Sequence, residues 1–328
     1  MHFDRLKRRQ FVTLLGGAAA WPLAARAQQQ AMPVVGFLSS GPAAAPVAGY
    51  FRRGLAESGY VDGRNVLIEN RFADGQYDRL PAFAGDLVRR PVSVIVTSGS
   101  PAAPVAKAAT TTIPIVFGFG GDPVKAGLVA SLNRPGGNIT GVSFLTSQLE
   151  SKRLGLLHEL VPRATAIAVL VNPTNANAAG QSAEVREAAR TLGLQLHIVN
   201  ASGDGDFDSA FAAIARTGAG ALLVAGDPFY FGQRQQLVAL AARHAIPAMY
   251  DFSAYAQAGG LASYGTHLAD AYRQVGLYTA RILNGDKPAD LPVMQSTRFE
   301  FVINLGTAKA LGIEVLPTLS ARADEVIE

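Results

Sequence analysis

Cysteine is absent from the 328 residues. That excludes a disulfide scaffold, a thiol nucleophile, a thiolate-held zinc or iron–sulfur site and a lipid-anchoring cysteine. Histidine is scarce, with five in the chain, and none is spaced to share a metal with another histidine or a suitable acid. Charged residues make up 16% against 49% hydrophobic, which excludes a disordered chain or a coiled coil. The common enzyme strings Gly-x-x-x-x-Gly-Lys-Ser/Thr, Gly-x-Ser-x-Gly and His-Glu-x-x-His do not occur. Gly118-Phe119-Gly120-Gly121 lacks dinucleotide-binding spacing.

What basic excess there is sits at one end. Arg5, Lys7, Arg8, Arg9 and Arg26 oppose Asp4 alone in residues 1–27, which accounts for the whole net charge of +4. The rest of the chain is neutral overall, so a nucleic-acid partner is not expected. The same head has the three parts of an export signal: a basic stretch, an apolar run from Phe11 to Ala25, and Ala25-Arg26-Ala27 as a cleavage site. Arg8-Arg9 followed by Gln10-Phe11-Val12 reads as a twin-arginine signal, with the general secretory route as the alternative. The run is too short for an ordinary membrane span, and Pro22 would disturb a helix there. With no further long uncharged apolar run and no lipid anchor, the expected location is the periplasm, as a soluble chain.

From Pro33 onward β-branched runs alternate with helical patterns. Val34–Ser40, Val66–Phe72, Val92–Thr97, Ile113–Phe119 and Ile139–Phe144 read as strands separated by helices, the last of these helices beginning near Pro123. The pattern restarts with a helix at Gln148–Leu160, then strands at Ala166–Val171, Gln195–Val199, Ala221–Ala225 and Ala248–Tyr250. Strands that are apolar throughout imply sheets covered on both faces, the parallel arrangement of an α/β fold. The halves share punctuation. Asp74-Gly75-Gln76-Tyr77-Asp78 opens a helix in one, and Asp204-Gly205-Asp206-Phe207-Asp208 opens a helix in the other. One βαβαβ plan used twice is the reading.

Ligands of parallel sheets bind beyond the carboxyl ends of the strands, where helix N-termini also point. That rule selects Ser39, Ser40, Thr97, Ser98, Gly99, Ser100, Gly120 and Asp122 in the first half. In the second it selects Asn172, Asp227, Phe229, Tyr230, Tyr250 and Asp251. The hydroxyl cluster at Thr97–Ser100 suits a carboxylate, Asp227 or Asp251 an ammonium, and the aromatic rings an apolar body. Each has a plain structural reading as well: Ser100 and the Asp-Pro pairs as helix caps, the rings as core. No metal site and no cofactor are expected.

The motifs VVGFLSS, GLAESGYVDG (Gly54–Gly63), IPIVFGFGGDPV, RPGGNITGVS, AGGLASYG (Ala258–Gly265) and the tail VINLGTAKALGIEVLPTLSARADEVI resemble the ABC-transporter substrate-binding proteins of the tryptophan/tyrosine-transport-like family. The resemblance covers about residues 33–328. It implies a type I periplasmic binding fold: two Rossmann-like three-layer lobes with parallel sheets, joined by three crossover strands, and no enzymatic activity. The first lobe would take residues 33–145 plus about 262–291, the second 146–261 plus about 292–328. Hinges are expected near Leu145–Gln148, Ser253–Gly260 and Leu291–Ser296. It further implies a small organic ligand, such as an amino acid or an aromatic or carboxylate compound, captured by hinge closure. A monomer would deliver it to an ABC permease in the inner membrane. Two other functions stay open at this point, an exported α/β hydrolase and a periplasmic sensor for a membrane receptor.

Overall fold

The computed structural model describes residues 32–328; the export signal and its arginine pair lie outside them. The first half forms β1 (Val34–Ser39), α1 (Val47–Glu57), β2 (Leu67–Phe72), α2 (Leu80–Val88), β3 (Val94–Ser98), α3 (Ala102–Ala109), β4 (Ile115–Phe119) and β5 (Ile139–Ser143). Successive side chains of β1 enter different cores. Val35 and Phe37 join Phe51 and Leu55 of α1, while Leu38 joins Leu80, Ala84 and Leu87 of α2. A strand buried on both faces needs apolar residues at consecutive positions, which is why the runs do not alternate.

The second half repeats the plan. It contains α4 (Glu150–Leu160), β6 (Ala166–Val171), α5 (Ala178–Leu192), β7 (Gln195–Asn200), α6 (Phe207–Thr217) and β8 (Ala221–Val224). Then follow α7 (Pro228–Gly232), α8 (Arg234–Arg243), β9 (Ala248–Tyr250), α9 (Ser253–Gln257) and β10 (Ala262–Thr266). The remaining elements are α10 (Leu268–Leu283), β11 (Met294–Gln295), β12 (Phe299–Asn304), α11 (Leu305–Ala310), α12 (Pro317–Ser320) and β13 (Glu325–Ile327). The first sheet runs β11-β5-β4-β3-β1-β2 and the second β13-β12-β10-β9-β8-β6-β7. Reading each half's own first five strands gives the same order twice, 2-1-3-4-5. Pairing is parallel except between β10 and β12. The result is two doubly wound lobes of the type I periplasmic binding class.

Three segments cross between the sheets. Phe144–Thr146 leaves β5 for α4, His267 links β10 to α10, and Ser296–Arg298 links β11 to β12. They lie side by side: the Thr266 hydroxyl donates to the Phe144 carbonyl, His267 N–H to the Arg298 carbonyl at 2.9 Å, and Ser296 N–H to the Ser143 carbonyl at 2.9 Å. Leu145, inside the first crossing, holds a left-handed φ of 59°, a strained conformation for a γ-branched residue.

Only the first crossing falls where the sequence suggests. Ser253–Gly260 is helix α9 and its closing turn inside the second lobe, and the chain crosses after β10 instead. The third crossing follows β11, because Met294–Gln295 still pairs with β5. Accordingly 262–266 sits in the second sheet and 294–295 in the first. The helix expected from Pro123 is a series of turns. Gly127 at φ 66° breaks any helical run there, and the Asp122 carboxylate caps the turn by accepting from Val124 and Lys125 N–H at 2.9 and 3.1 Å.

After its crossing, α10 returns to the first lobe and lies on α1. The contact is possible because both helices present glycine. A Cβ on Gly276 would fall 2.6 Å from the Leu55 nitrogen and 2.9 Å from the Gly54 carbonyl carbon. Among the described residues no helix is long and apolar enough to cross a membrane.

Candidate ligand-binding cleft

The carboxyl ends of the strands in both sheets converge on one cavity. Ser39 ends β1, Ser98–Ser100 follows β3, Gly120 follows β4 and Phe144–Ser147 follows β5; Gly226–Pro228 follows β8, Asp251–Phe252 follows β9 and Leu268 opens α10. The first crossing, through Phe144 and Thr146, forms part of its wall. Much of the wall is apolar: Pro42, Ala45, Val47, Phe144, Pro228, Phe231, Phe252, Leu268 and the Tyr272 ring. Phe231 and Phe252 meet edge to face, with centroids 5.5 Å apart and planes at 84°, a geometry that keeps aromatic walls in place.

The polar wall differs from residue to residue. Ser98 Oγ lies 2.7 Å from the Tyr272 hydroxyl, whose pKa burial raises to about 12. Ser100 does not cap α3; its Oγ accepts from Gly120 N–H at 3.0 Å and so ties the β3 and β4 loops together. Ser39 Oγ bonds the Gly41 backbone. Ser40 and Thr97 are buried behind this wall, and their hydroxyls have no protein partner. No histidine lines the cavity, so neither Ser98 nor Ser100 has an imidazole beside it.

Asp227 is surrounded. Its Oδ1 accepts from Asn172 Nδ2 (3.2 Å), Phe229 N–H (2.9 Å) and Tyr230 N–H (3.1 Å), and its Oδ2 from Asn175 Nδ2 (2.7 Å) and Tyr77 hydroxyl (2.8 Å). It caps α7, and burial raises its pKa while the Tyr77, Asn172 and Asn175 bonds pull the other way. With both oxygens engaged, it has little left for a ligand cation.

Asp251 is the opposite case. It is 3% exposed, lines the cavity, and its Oδ2 has no protein partner. A side chain on Gly226 would crowd that oxygen, since its Cβ would come within 2.9 Å. Burial raises the Asp251 pKa to about 7, with the Arg153 charge lowering it and Glu150 raising it. Arg153 and Glu150 form a fully buried ion pair at 2.8 Å. The guanidinium also donates to the Thr146 and Tyr264 carbonyls, at 2.7 and 3.2 Å, and so fastens the first crossing to β10. Glu150 Oε1 accepts from Gln181 Nε2 and Gly226 N–H, while its Oε2 is unpartnered. The one buried guanidinium pairs with Glu150 and only lends its field to Asp251, and the cavity wall contains no lysine, arginine or histidine.

The remaining expected residues lie elsewhere. Asn172 touches Asp227, not the cavity. Phe229 stacks on Phe207 at 5.4 Å and 10°. Tyr230 donates to the Ala201 carbonyl at 2.7 Å. Tyr250 stacks on Tyr255 at 4.5 Å and 11°. Asp122 sits in its own turn, off the cavity. Sequence reasoning missed Thr146, Ser147, Asn177, Phe231, Leu268 and Tyr272 in the wall. It also missed Tyr77, Asn175 and the Glu150–Arg153 pair around it. Among the described residues no group of three or more His, Asp or Glu could hold a metal ion.

The model of a family described as ABC transporter substrate binding protein matches residues 32–327. The chain belongs to this family. A relative, the tyrosine-binding protein of Clostridioides difficile (strain R20291), is 28% identical over 266 residues, 81% of this chain and 76% of the relative. An ABC domain from Streptococcus pneumoniae, solved in complex with L-Trp, is 26% identical over 90% of this chain and all of its own, with a TM-score of 0.82. A ligand-free, open substrate-binding protein with adhesive properties from Clostridium difficile is 25% identical over 90% of this chain and 99% of its own, yet its TM-score is 0.62. Members of this substrate-binding family bind small ligands.

Proposed function

We propose that this chain is the solute-capturing component of an ABC importer, and that its ligand is an amino acid with a large apolar side chain. The single observation that carries the choice of ligand is Asp251: a buried carboxylate at the cavity wall with an oxygen that no protein group satisfies. A buried charge of this kind calls for a partner. A ligand ammonium supplies one, and the excess of buried carboxylate over guanidinium favours a cation there. The hydroxyls of Ser98 and Ser100 at the start of α3 suit the ligand carboxylate. The apolar wall suits the side chain.

Capture works by hinge closure. Two lobes joined only by short crossings interconvert between open and closed, and a ligand that touches both lobes favours closed. At nearly equal identity, this chain fits the L-Trp complex better than the ligand-free open structure, which supports a closed arrangement here. The closed form then delivers its ligand to a permease of the inner membrane, acting as a periplasmic monomer exported by the head segment.

Calorimetric titration tests this reading. L-Tryptophan, L-tyrosine, L-phenylalanine and L-leucine are compared with 3-phenylpropionate, which lacks the ammonium, and with phenethylamine, which lacks the carboxylate. At least one amino acid is expected to bind with 1:1 stoichiometry, and 3-phenylpropionate to bind at least tenfold more weakly than phenylalanine. Equal binding of phenylalanine and 3-phenylpropionate would refute the assignment of Asp251.

A further inference from the structure

Tyr77 stands on the turn between β2 and α2 in the first lobe, and does not line the cavity. Its hydroxyl nevertheless reaches the second lobe twice. It donates to Asp227 Oδ2 at 2.8 Å and accepts from Phe229 N–H at 3.1 Å. The receiving carboxylate is itself held from within the second lobe by Asn172, Asn175 and the N–H groups of Phe229 and Tyr230. Of this set only Asp227 lines the cavity. Two residues before Tyr77, Gly75 meets the same segment so closely that a Cβ would lie 2.6 Å from the Phe229 ring. Phe207, the counterpart of Tyr77 in the repeated Asp-Gly-x-aromatic-Asp string, packs on Phe229 and Tyr230 from inside the second lobe. The two repeats therefore converge on residues 227–230, one with a ring and one with a hydroxyl.

We propose that Tyr77, acting through Asp227, is a positioning residue that latches the two lobes together in the closed form without touching the ligand. The proposal rests on hinge closure as read above. A hydrogen bond to a buried carboxylate is among the stronger ones in a protein. Formed only when the lobes meet, it raises the closed population of the free protein, and with it the apparent affinity for any ligand that requires closure. Asp227 is then part of the lobe contact, and ligand choice is left to Asp251 and the apolar wall.

The test is Tyr77→Phe in the purified protein, which keeps the ring and removes the hydroxyl. Affinities for L-tryptophan, L-phenylalanine and L-leucine are measured beside the parent, with dissociation rates by stopped flow. Small-angle scattering is recorded with and without ligand. The expected result is a loss of about tenfold in affinity, equal for all three ligands and carried by faster dissociation. The ligand-free variant should also have a larger radius of gyration than the ligand-free parent. In an Asp227→Asn background the same substitution should cost little more, because the latch is already broken. Unchanged affinities, or losses that differ from ligand to ligand, would overturn the proposal; the second outcome would make Tyr77 a ligand contact. If the parent itself does not contract with ligand, hinge closure fails. If the parent contracts and the variant matches it in every respect, the latch alone fails.

Discussion

Burial holds the Asp251 proton until about pH 7, against Arg153, which favours the ionised form, and with Glu150 and Asp227, which oppose it. On the role proposed for Asp251, a ligand ammonium would bind the ionised carboxylate, so below pH 7 a proton would have to leave before the ligand enters. Affinity for an amino acid is therefore expected to be highest above pH 7 and to fall by up to about tenfold per unit toward pH 5. Titrations in buffers of different ionisation heat should show proton release that disappears in Asp251→Asn, which should also bind amino acids at least tenfold more weakly. Affinity that is flat from pH 5 to 8 would contradict this. Stability carries the opposite sign. A raised pKa in the folded state favours the protonated form, so this group's contribution is fully present below the ordinary carboxylate range and is lost as pH rises through about 7. The ligand-free protein should thus gain stability on mild acidification at this site, while the ligand complex should not. Arg153 makes a separate prediction. Arg153→Met strands Glu150 as a buried charge, with an expected loss of about 3–5 kcal/mol in denaturant unfolding. Glu150→Gln combined with Arg153→Met should recover much of it.

Helices α1 and α10 meet through Gly54 and Gly276, and α10 carries the chain from the second sheet back onto the first. Gly276→Val puts atoms where the α1 backbone already lies, so about 3 kcal/mol of destabilisation by urea unfolding is expected. A change under 0.5 kcal/mol would mean the helices part without cost. At this scale much of the fold was legible. Strands such as Ile115–Phe119 and Ala166–Val171 are buried on both faces, and that requirement writes an unbroken apolar run into the sequence. The second and third crossings were not legible, because His267 and Ser296–Arg298 are short links whose backbone bonds go to one another. A hydrogen bond between distant segments leaves no local pattern. The same reason hid Tyr77 and Asn175, which meet Asp227 across 150 and 52 positions respectively. Asp251 was legible as a polar residue at a strand's carboxyl end, and so was Asp227. Which of the two keeps an oxygen to spare depends on neighbours that only the folded chain brings together.

The molecule as a whole is a pair of similar lobes whose only covalent links are three short, mutually bonded segments, with the cavity in front of them. A ligand at 100 times its dissociation constant should raise stability by about 2.7 kcal/mol, measurable as an upward shift in melting temperature that 3-phenylpropionate does not reproduce. The most direct test of the central claim is small-angle X-ray scattering from the purified protein during titration with its amino-acid ligand. The account predicts that the radius of gyration falls as ligand is added and levels off at one equivalent. A radius that stays constant while calorimetry shows saturated binding would contradict it.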